Sequence, residues 1–484
     1  MSPGGGGGKG GEGSPKRPPT IVSESQSALP CLSPVRVCAT PASKLPACQG
    51  CNRRWNAPGS TPRPLRVRVA LRRGPEWSNM PTTTIPKVLF ISGSLGLGHA
   101  IRDLAIADEL HRVVPGLGLT WLAAGAARTA IEDAGGTLHS RADEFAGLDE
   151  AAEAAASGHS LRLDHYGARA EDAWNQHHTF FREIMATEPW DMVIGDETYE
   201  IWFPLHDEPP LSCPFVMIYD FVGLWRIGWR ERLSRDRTSF SYRQVTDHRL
   251  LKRTKSRVLF VGEPEDISTE RFGPALPRMR RYAARHYAIV GNVFRFDSRL
   301  YRDPRAAKQR LGYGEEPLVI VTVGGTSVGK ALMELAGAAY PLVVQECPNL
   351  RMILVCGPRL APEGLEIPES VTTMRYVPRL YEHLAAADLV ITQGGGTTTA
   401  ELTALRRPFL YFPLEGHDEQ RDQVAARQRR LGAGVELEFG STGPRELARA
   451  VLDHLSEDVT YPDIDCDGAR KAAAVIAELL AEAR

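Results

Sequence analysis

The chain has 484 residues, 43% of them hydrophobic and 24% charged, with 58 Lys and Arg against 59 Asp and Glu. That length and apolar content support two or three packed domains and exclude a wholly disordered or fibrous chain. No run of eighteen apolar residues occurs and the N-terminus lacks a signal-type apolar core, so a bilayer span is not expected and the cytoplasm is the expected compartment.

Residues 1–79 hold twelve Lys and Arg against three acids, with Gly4 to Gly8 and repeated Ser-Pro and Arg-Pro pairs. Such a segment buries too little apolar surface to offset its ordering entropy, so it is read as a disordered extension. Met80, just ahead of the first apolar run, is a candidate for the true start. Cys31, Cys38, Cys48 and Cys51 lie in this extension; the Cys48/Cys51 pair has zinc-knuckle spacing but no second ligand pair. Cys213, Cys347, Cys356 and Cys466 are read as reduced core thiols.

From Lys87 onward, apolar runs alternate with amphipathic stretches. Strands are expected at 88–92, 119–123, 192–195, 215–219, 258–260 and 288–290. A second series is expected at 318–323, 351–355, 372–376, 389–392, 409–412 and 434–437. This predicts an α/β chain with two Rossmann-like parallel-sheet domains facing a cleft, one over residues 80–290 and one over 291–484.

Glycine turns follow three of these strands. The first, Ser92-Gly93-Ser94-Leu95-Gly96-Leu97-Gly98-His99, opens a helix expected over 101–110. Its G-x-x-G-x-G order differs from the dinucleotide fingerprint, which argues against NAD. The second, Val323-Gly324-Gly325-Thr326-Ser327-Val328-Gly329-Lys330, is not a Walker A loop, because Ala331 stands where Ser or Thr is required. The third, Gln393-Gly394-Gly395-Gly396-Thr397-Thr398-Thr399-Ala400-Glu401, passes from strand into helix. Bare glycine backbone and unpaired first-turn N–H groups there form an anion site, and Glu401, one turn further on, is placed to meet a ribose. Carboxylates at strand ends, Asp196-Glu197 and Asp220, point toward the same crevice.

Between 221 and 257, eleven Lys and Arg face three acids, interleaved with Trp225 and Trp229. This reads as a membrane-surface patch, as a surface for an anionic acceptor or nucleic acid, or as a solvated basic helix with its tryptophans in the core. No nucleic-acid motif is present, and no nucleic-acid partner is expected.

The third turn, with Arg407-Pro408, Phe412-Pro413 and the run His417-Asp418-Glu419-Gln420, resembles the donor signature of GT-B glycosyltransferases, family 28, MurG-like group. The first two turns are similar to that family's glycine loops, and Gly291-Asn292-Val293-Phe294-Arg295 to its junction segment, with Val293 in place of proline. Gln393 stands where many relatives carry His.

The resemblance implies that Gly324, Gly325, Thr326, Gln393, Gly394, Gly395, Gly396, Thr397 and Thr398 cradle the diphosphate, that Arg295 reaches it, that Glu401 holds the ribose, and that Asp418 and Gln420 meet the sugar. Lys330 is a further candidate for the phosphate charge. A lone surface ion pair is the other reading of Arg295.

The implied activity is inverting transfer of a hexose-type sugar from a nucleotide sugar, UDP-linked, to the hydroxyl of a small-molecule or lipid-linked acceptor. No metal and no cofactor are expected, the nucleotide sugar being a co-substrate, and no DxD-type cation site is read. The general base is left among His99, Asp220 and Asp196, with Glu197 behind them. A nucleotide-sugar epimerase and a non-catalytic nucleotide-sugar-binding subunit are the alternatives. The expected location is cytoplasmic, with peripheral contact at the inner membrane face.

Overall fold

A computed structural model describes residues 85–93, 96–223, 240–325 and 327–484. The N-terminal extension with its C-x-x-C pair, Met80, Thr326, and the tryptophan-bearing stretch 224–239 lie outside the described residues.

Two six-stranded parallel sheets form the scaffold. In chain order the strands are β1 (Lys87–Ile91), β2 (Gly118–Leu122), β3 (Ala156–Ser157), β4 (Ser160–Leu161), β5 (Met192–Asp196), β6 (Phe215–Tyr219), β7 (Arg257–Val261) and β8 (Ala288–Gly291) in the first half. They are followed by β9 (Leu318–Thr322), β10 (Arg351–Val355), β11 (Thr372–Met374), β12 (Leu389–Thr392), β13 (Phe409–Tyr411) and β14 (Val435–Glu436). The first sheet runs β2-β1-β5-β6-β7-β8 and the second β11-β10-β9-β12-β13-β14, while β3 and β4 form a separate hairpin. All twelve strands expected from the apolar runs are present, with ends shifted by one or two residues. The continuous apolar runs arise because helices cover both faces: every residue of β6 and of β9 is buried.

Side chains alternate across each sheet, as the two-residue strand period requires. Val88 and Phe90 enter one core while Leu89 and Ile91 enter the other. Val319 and Val321 likewise face away from Leu318 and Ile320 in the second sheet. The chain's last helix, Gly468–Ala483, returns to the first sheet, where Ile476 and Leu480 pack fully buried with Val88, Phe90 and Leu104. A division at residue 291 therefore separates the two sheets but not all the helices that cover them. The four described thiols are free, and Cys356 is the fully buried one.

The topology fixes where a ligand binds. After β2 the chain crosses back to place β5 on the other side of β1, and after β11 it crosses back to place β12 on the other side of β9. Loops on either side of such a reversal splay apart and leave a crevice at the strand C-termini. The loops at these two points are Ser92 to His99 and Asp196-Glu197 in the first sheet, and Val323 to Gly329 and Gln393 to Gly396 in the second.

Between the halves, the β3–β4 hairpin lies against the segment after β13. Leu161 N donates to Glu415 O at 2.8 Å and Glu415 N donates to His159 O at 3.1 Å. His159 Nε2 donates to Phe412 O at 2.9 Å, and its ring stacks on Phe439 at 4.3 Å.

Candidate active site

Two helix N-termini open onto one cavity of about 430 Å³ between the sheets. The Leu97–Val113 helix begins after Gly96, and the Gly396–Leu405 helix after Gly395; neither has a side-chain cap. Their first-turn N–H groups and positive dipole ends thus remain available to an anion. The first helix starts four residues earlier than expected, because Gly96, at φ 87°, makes the turn and Gly98 lies inside the first helical turn.

Glycine is required where the loops meet. A Cβ on Gly325 would lie 2.6 Å from Leu97 N, and one on Gly98 would lie 2.9 Å from Thr397 Oγ1. Gln393, buried, ties the second and third turns together: its Oε1 accepts from Gly324 N at 3.4 Å and its Nε2 donates to Val328 O at 3.3 Å. It acts as a strut between the turns.

At the first-sheet side of the cavity His99 stands in a charged cluster. Its Nδ1 lies 3.3 Å from Asp196 Oδ2 and 2.8 Å from Arg102 Nη2. A carboxylate only accepts and a guanidinium only donates, so the two contacts favour opposite tautomers. The tautomer with Nδ1–H toward Asp196 leaves the Nε2 lone pair to the cavity.

Arg102 Nε donates to Asp196 Oδ2 at 2.7 Å, its Nη2 bonds Asp196 Oδ1 and its Nη1 bonds Asp220. Burial works most strongly against ionisation of both aspartates, but Arg102, His99 and the hydrogen bonds to each carboxylate together outweigh it and hold each below the usual carboxylate range. Burial and the neighbouring charges push Asp103 and Glu197 the other way. Asp103, bonded to Ser92 Oγ at 2.6 Å, is raised by burial and then by Asp196; Glu197 is raised by burial and then by Asp220.

Glu197 also carries a positive φ of 51°, an uncommon conformation for a side-chain-bearing residue and one that recurs at functional sites. Its Oε2 sits 4.0 Å from His99 Nε2.

The expected donor residues divide into two groups. Gly324, Gly325, Gln393, Gly395, Gly396, Thr397, Thr398 and Gln420 line the cavity; Gln420 Oε1 accepts from Leu414 N at 2.9 Å. Gly394, at φ 85°, shapes the turn beneath Tyr411 without lining the cavity. Asp418 immediately precedes the π-helical turn Glu419–Val424. Glu401 is buried within its helix, outside the cavity wall, and burial pushes its carboxyl up to about 8. Burial thus favours its neutral form.

Arg295 is not brought to the cleft: its Nε donates to Asp108 Oδ2 at 2.8 Å on the half-exposed flank of the first helix, the ion-pair alternative named for it. Lys330 points outward to Glu334 at 3.4 Å.

Three residues that the sequence reading gave no role stand at the site. Arg102 follows His99 by one turn on the same helix face, but its partners Asp196 and Asp220 lie far along the chain. Glu419 lines the cavity, its carboxyl raised to about 7 by burial and then by Asp220, and its Oε1 stands 3.4 Å from where a Cβ on Gly396 would lie. Arg427 donates to Gly396 O at 2.6 Å and to Thr399 Oγ1 at 3.0 Å, placing a cation behind the third turn. No cluster of three or more metal-ligating side chains occurs among the described residues. The D-x-D-x-D run from Asp463 to Asp467, passed over in the sequence reading, is engaged elsewhere: Asp463 bonds Arg302 and Arg406 at 3.0 Å, and Asp465 bonds Lys471.

Residues 318–480 match the glycosyltransferase family 28 C-terminal domain. An uncharacterized glycosyltransferase of Methanopyrus kandleri is 31% identical over 183 residues, covering 37% of this chain and 50% of that protein. The UDP-N-acetylglucosamine–N-acetylmuramyl-(pentapeptide) pyrophosphoryl-undecaprenol N-acetylglucosamine transferase of Carboxydothermus hydrogenoformans is 32% identical over 124 residues, covering 25% of this chain and 33% of that protein. The chain thus spans between a third and a half of the length of these curated relatives. Arabidopsis thaliana UGT89C1 complexed with UDP superposes with a TM-score of 0.50 at 16% identity, over 81% of this chain and 94% of that one, a likeness of fold. Two parallel sheets meeting at their switch points give the chain a GT-B-type fold, and its residues 318–480 match the glycosyltransferase family 28 C-terminal domain.

Proposed function

We propose that the protein transfers a hexose-type sugar from a nucleotide sugar, UDP-linked, to an acceptor hydroxyl, with inversion and without a bound metal. The observation that carries this reading is the convergence of two uncapped helix N-termini and the His99 imidazole on one cavity. The donor diphosphate lies against the Gly324-Gly325 and Gly395-Gly396 turns, where N–H groups and helix dipoles meet the charge that grows on the leaving oxygen. Gln420 faces the sugar.

His99 Nε2 takes the acceptor proton as the acceptor oxygen attacks the anomeric carbon. The bond from that carbon to the diphosphate breaks, and its electron pair leaves with the nucleoside diphosphate. A single displacement inverts the anomeric centre. Asp196 holds Nδ1–H and stabilises the imidazolium that forms. Asp220 is a weaker candidate for the base, because its carboxylate is engaged by Arg102 and held ionised at low basicity. The cavity extends well beyond the glycine turns into an apolar chamber, which a transferase needs for its acceptor and an epimerase does not.

The test is incubation with labelled UDP-sugars and an acceptor panel. Transfer with an inverted anomeric configuration, unaffected by a chelator, supports the reading; donor isomerisation without transfer contradicts it.

Peripheral contact with an anionic membrane surface belongs to the same proposal. Arg249, Lys252, Arg281 and Arg285 line a groove of about 480 Å³ between the Phe240–Arg253 and Met279–His286 helices. Among the described residues no acid lines it, and no helix is long and apolar enough to cross a membrane. Salt-sensitive sedimentation with phosphatidylglycerol vesicles supports this contact; equal recovery with phosphatidylcholine vesicles contradicts it.

A further inference from the structure

The second glycine turn is braced by the other half of the chain. Beyond Gly324 and Gly325 it continues as Ser327–Gly329, and this part meets an insert between β2 and β5, made of the Leu148–Ala155 helix and the β3–β4 hairpin. Ser327 N donates to Glu153 Oε1 at 3.1 Å. Arg359, from the loop after β10, donates to the same Oε1 from Nε at 2.7 Å and to Oε2 from Nη2 at 2.9 Å. These bonds hold the Glu153 carboxyl below its usual range.

Apolar contact reinforces the polar one. Val328 is buried in one cluster with Leu148, Ala152, Ala155 and Leu161 of the insert. Its carbonyl oxygen accepts from Gln393 Nε2. The backbone of the turn is thus pinned once from each half of the chain, at Val328 O by Gln393 and at Ser327 N by Glu153.

Two effects of Glu153 on a bound diphosphate oppose each other. As an anion near the turn it repels the donor, but Arg359 pairs with it and the pair is partly exposed to water, so the repulsion is weak. As an acceptor it orders a turn with glycine at 324, 325 and 329, the residue type that loses most freedom on ordering. A turn ordered in advance binds more tightly, because that loss no longer falls on the binding step. A carboxylate-to-amide bond is also stronger than a neutral one, so the ordering effect wins.

We infer that Glu153 is a positioning residue for the donor, ordering the second glycine turn from across the cleft without itself touching the nucleotide. The inference rests on the placement of the diphosphate at Gly324-Gly325 given above. The turn of the second sheet then reaches its full affinity only with the insert of the first half docked on it.

The test compares full-length wild type, Glu153→Gln and Glu153→Ala by UDP calorimetry, and by hydrogen exchange of segment 323–335 without ligand. Glutamine keeps an oxygen for Ser327 N and alanine does not. UDP affinity is expected to fall by roughly five- to tenfold in Glu153→Ala and to stay within about twofold of wild type in Glu153→Gln. Exchange in 323–335 is expected to be faster in Glu153→Ala alone. Glu153→Ser, whose hydroxyl is too short to make the bond, takes the place of the alanine variant if that one fails to fold.

UDP binding by Glu153→Ala at or above wild-type affinity overturns the inference and leaves the donor reading intact. Equal weakening in both variants also overturns it, since the charge and not the bond to Ser327 then matters. Absence of UDP binding by the wild type overturns the donor reading and the inference together.

Discussion

Arg102 Nε donates to Asp196 Oδ2 at 2.7 Å, so a guanidinium one helical turn after His99 fixes the carboxylate that faces the imidazole. The same group reaches Asp220 from the next strand end, and Arg102 and Asp196 are both almost wholly buried. Three loops at the top of the first sheet are thereby locked through one residue. The cost of dismantling that lock follows from its burial.

Arg102→Met leaves two buried carboxylates without their cation and is expected to destabilise the protein by about 3–5 kcal/mol. Both aspartates are held below their usual range, so the stability they contribute is present above about pH 4 and is lost as pH falls through their depressed values. The gap between wild type and variant in urea unfolding should therefore be full at pH 7 and shrink in strong acid. A gap that is absent at pH 7 contradicts the role given to Arg102.

Gly325→Ala puts a Cβ 2.6 Å from the backbone nitrogen of Leu97, which no side-chain rotation relieves. The expected outcome is a stability loss of about 1–3 kcal/mol, with weaker UDP binding because the two loops that share the anion site are pushed apart. Thermal melting with and without UDP reads both effects. Unchanged ligand stabilisation in the variant would count against the convergence of these loops on the donor.

Glu401 offers a pH test. Its carboxyl is raised to about 8 from an ordinary 4.5, so the folded state prefers the protonated form; the stability this contributes is full below about 4.5 and is lost as pH rises through about 8. Glu401→Gln, permanently neutral, should gain stability relative to wild type steadily across that window. In UDP calorimetry at pH 7 Glu401→Ala should lose about 0.5–1.5 kcal/mol, the worth of a neutral hydrogen bond, if the acid meets the ribose. Parallel melting curves at every pH contradict the burial account.

Leu480→Ala is expected to cost about 2–5 kcal/mol although it lies four residues before Arg484, because its side chain is fully buried in the core of the first sheet. Hydrogen exchange in the variant should rise in β1 and β2 before it rises in the second sheet. Protection lost from β9 and β12 first would contradict the packing described.

Strands and glycine turns were legible in the sequence because a buried parallel strand needs an unbroken apolar run and its turn into a helix needs glycine. The runs at 318–323 and 389–392 carry that signature by themselves. The residues that escaped act through partners distant in sequence. Arg102 draws its meaning from Asp196 and Asp220, 94 and 118 residues away, and nothing local marks it as more than one arginine on an amphipathic helix. Arg295 misled for the same reason. Its position in a junction segment was legible, but Asp108, 187 residues away, decides where its guanidinium lies. The return of the last helix to the first sheet was illegible as well, since small apolar residues at helical spacing suit either sheet.

The central claim is that His99 takes the acceptor proton at a cavity whose two helix N-termini hold the donor. It is tested most directly by measuring UDP affinity and sugar transfer on the same preparations of wild type and His99→Ala. The account predicts a fall in turnover of roughly 10²–10⁴ with UDP affinity unchanged, because general-base catalysis acts in the transition state and not in donor binding. Transfer at the wild-type rate by the variant would contradict it.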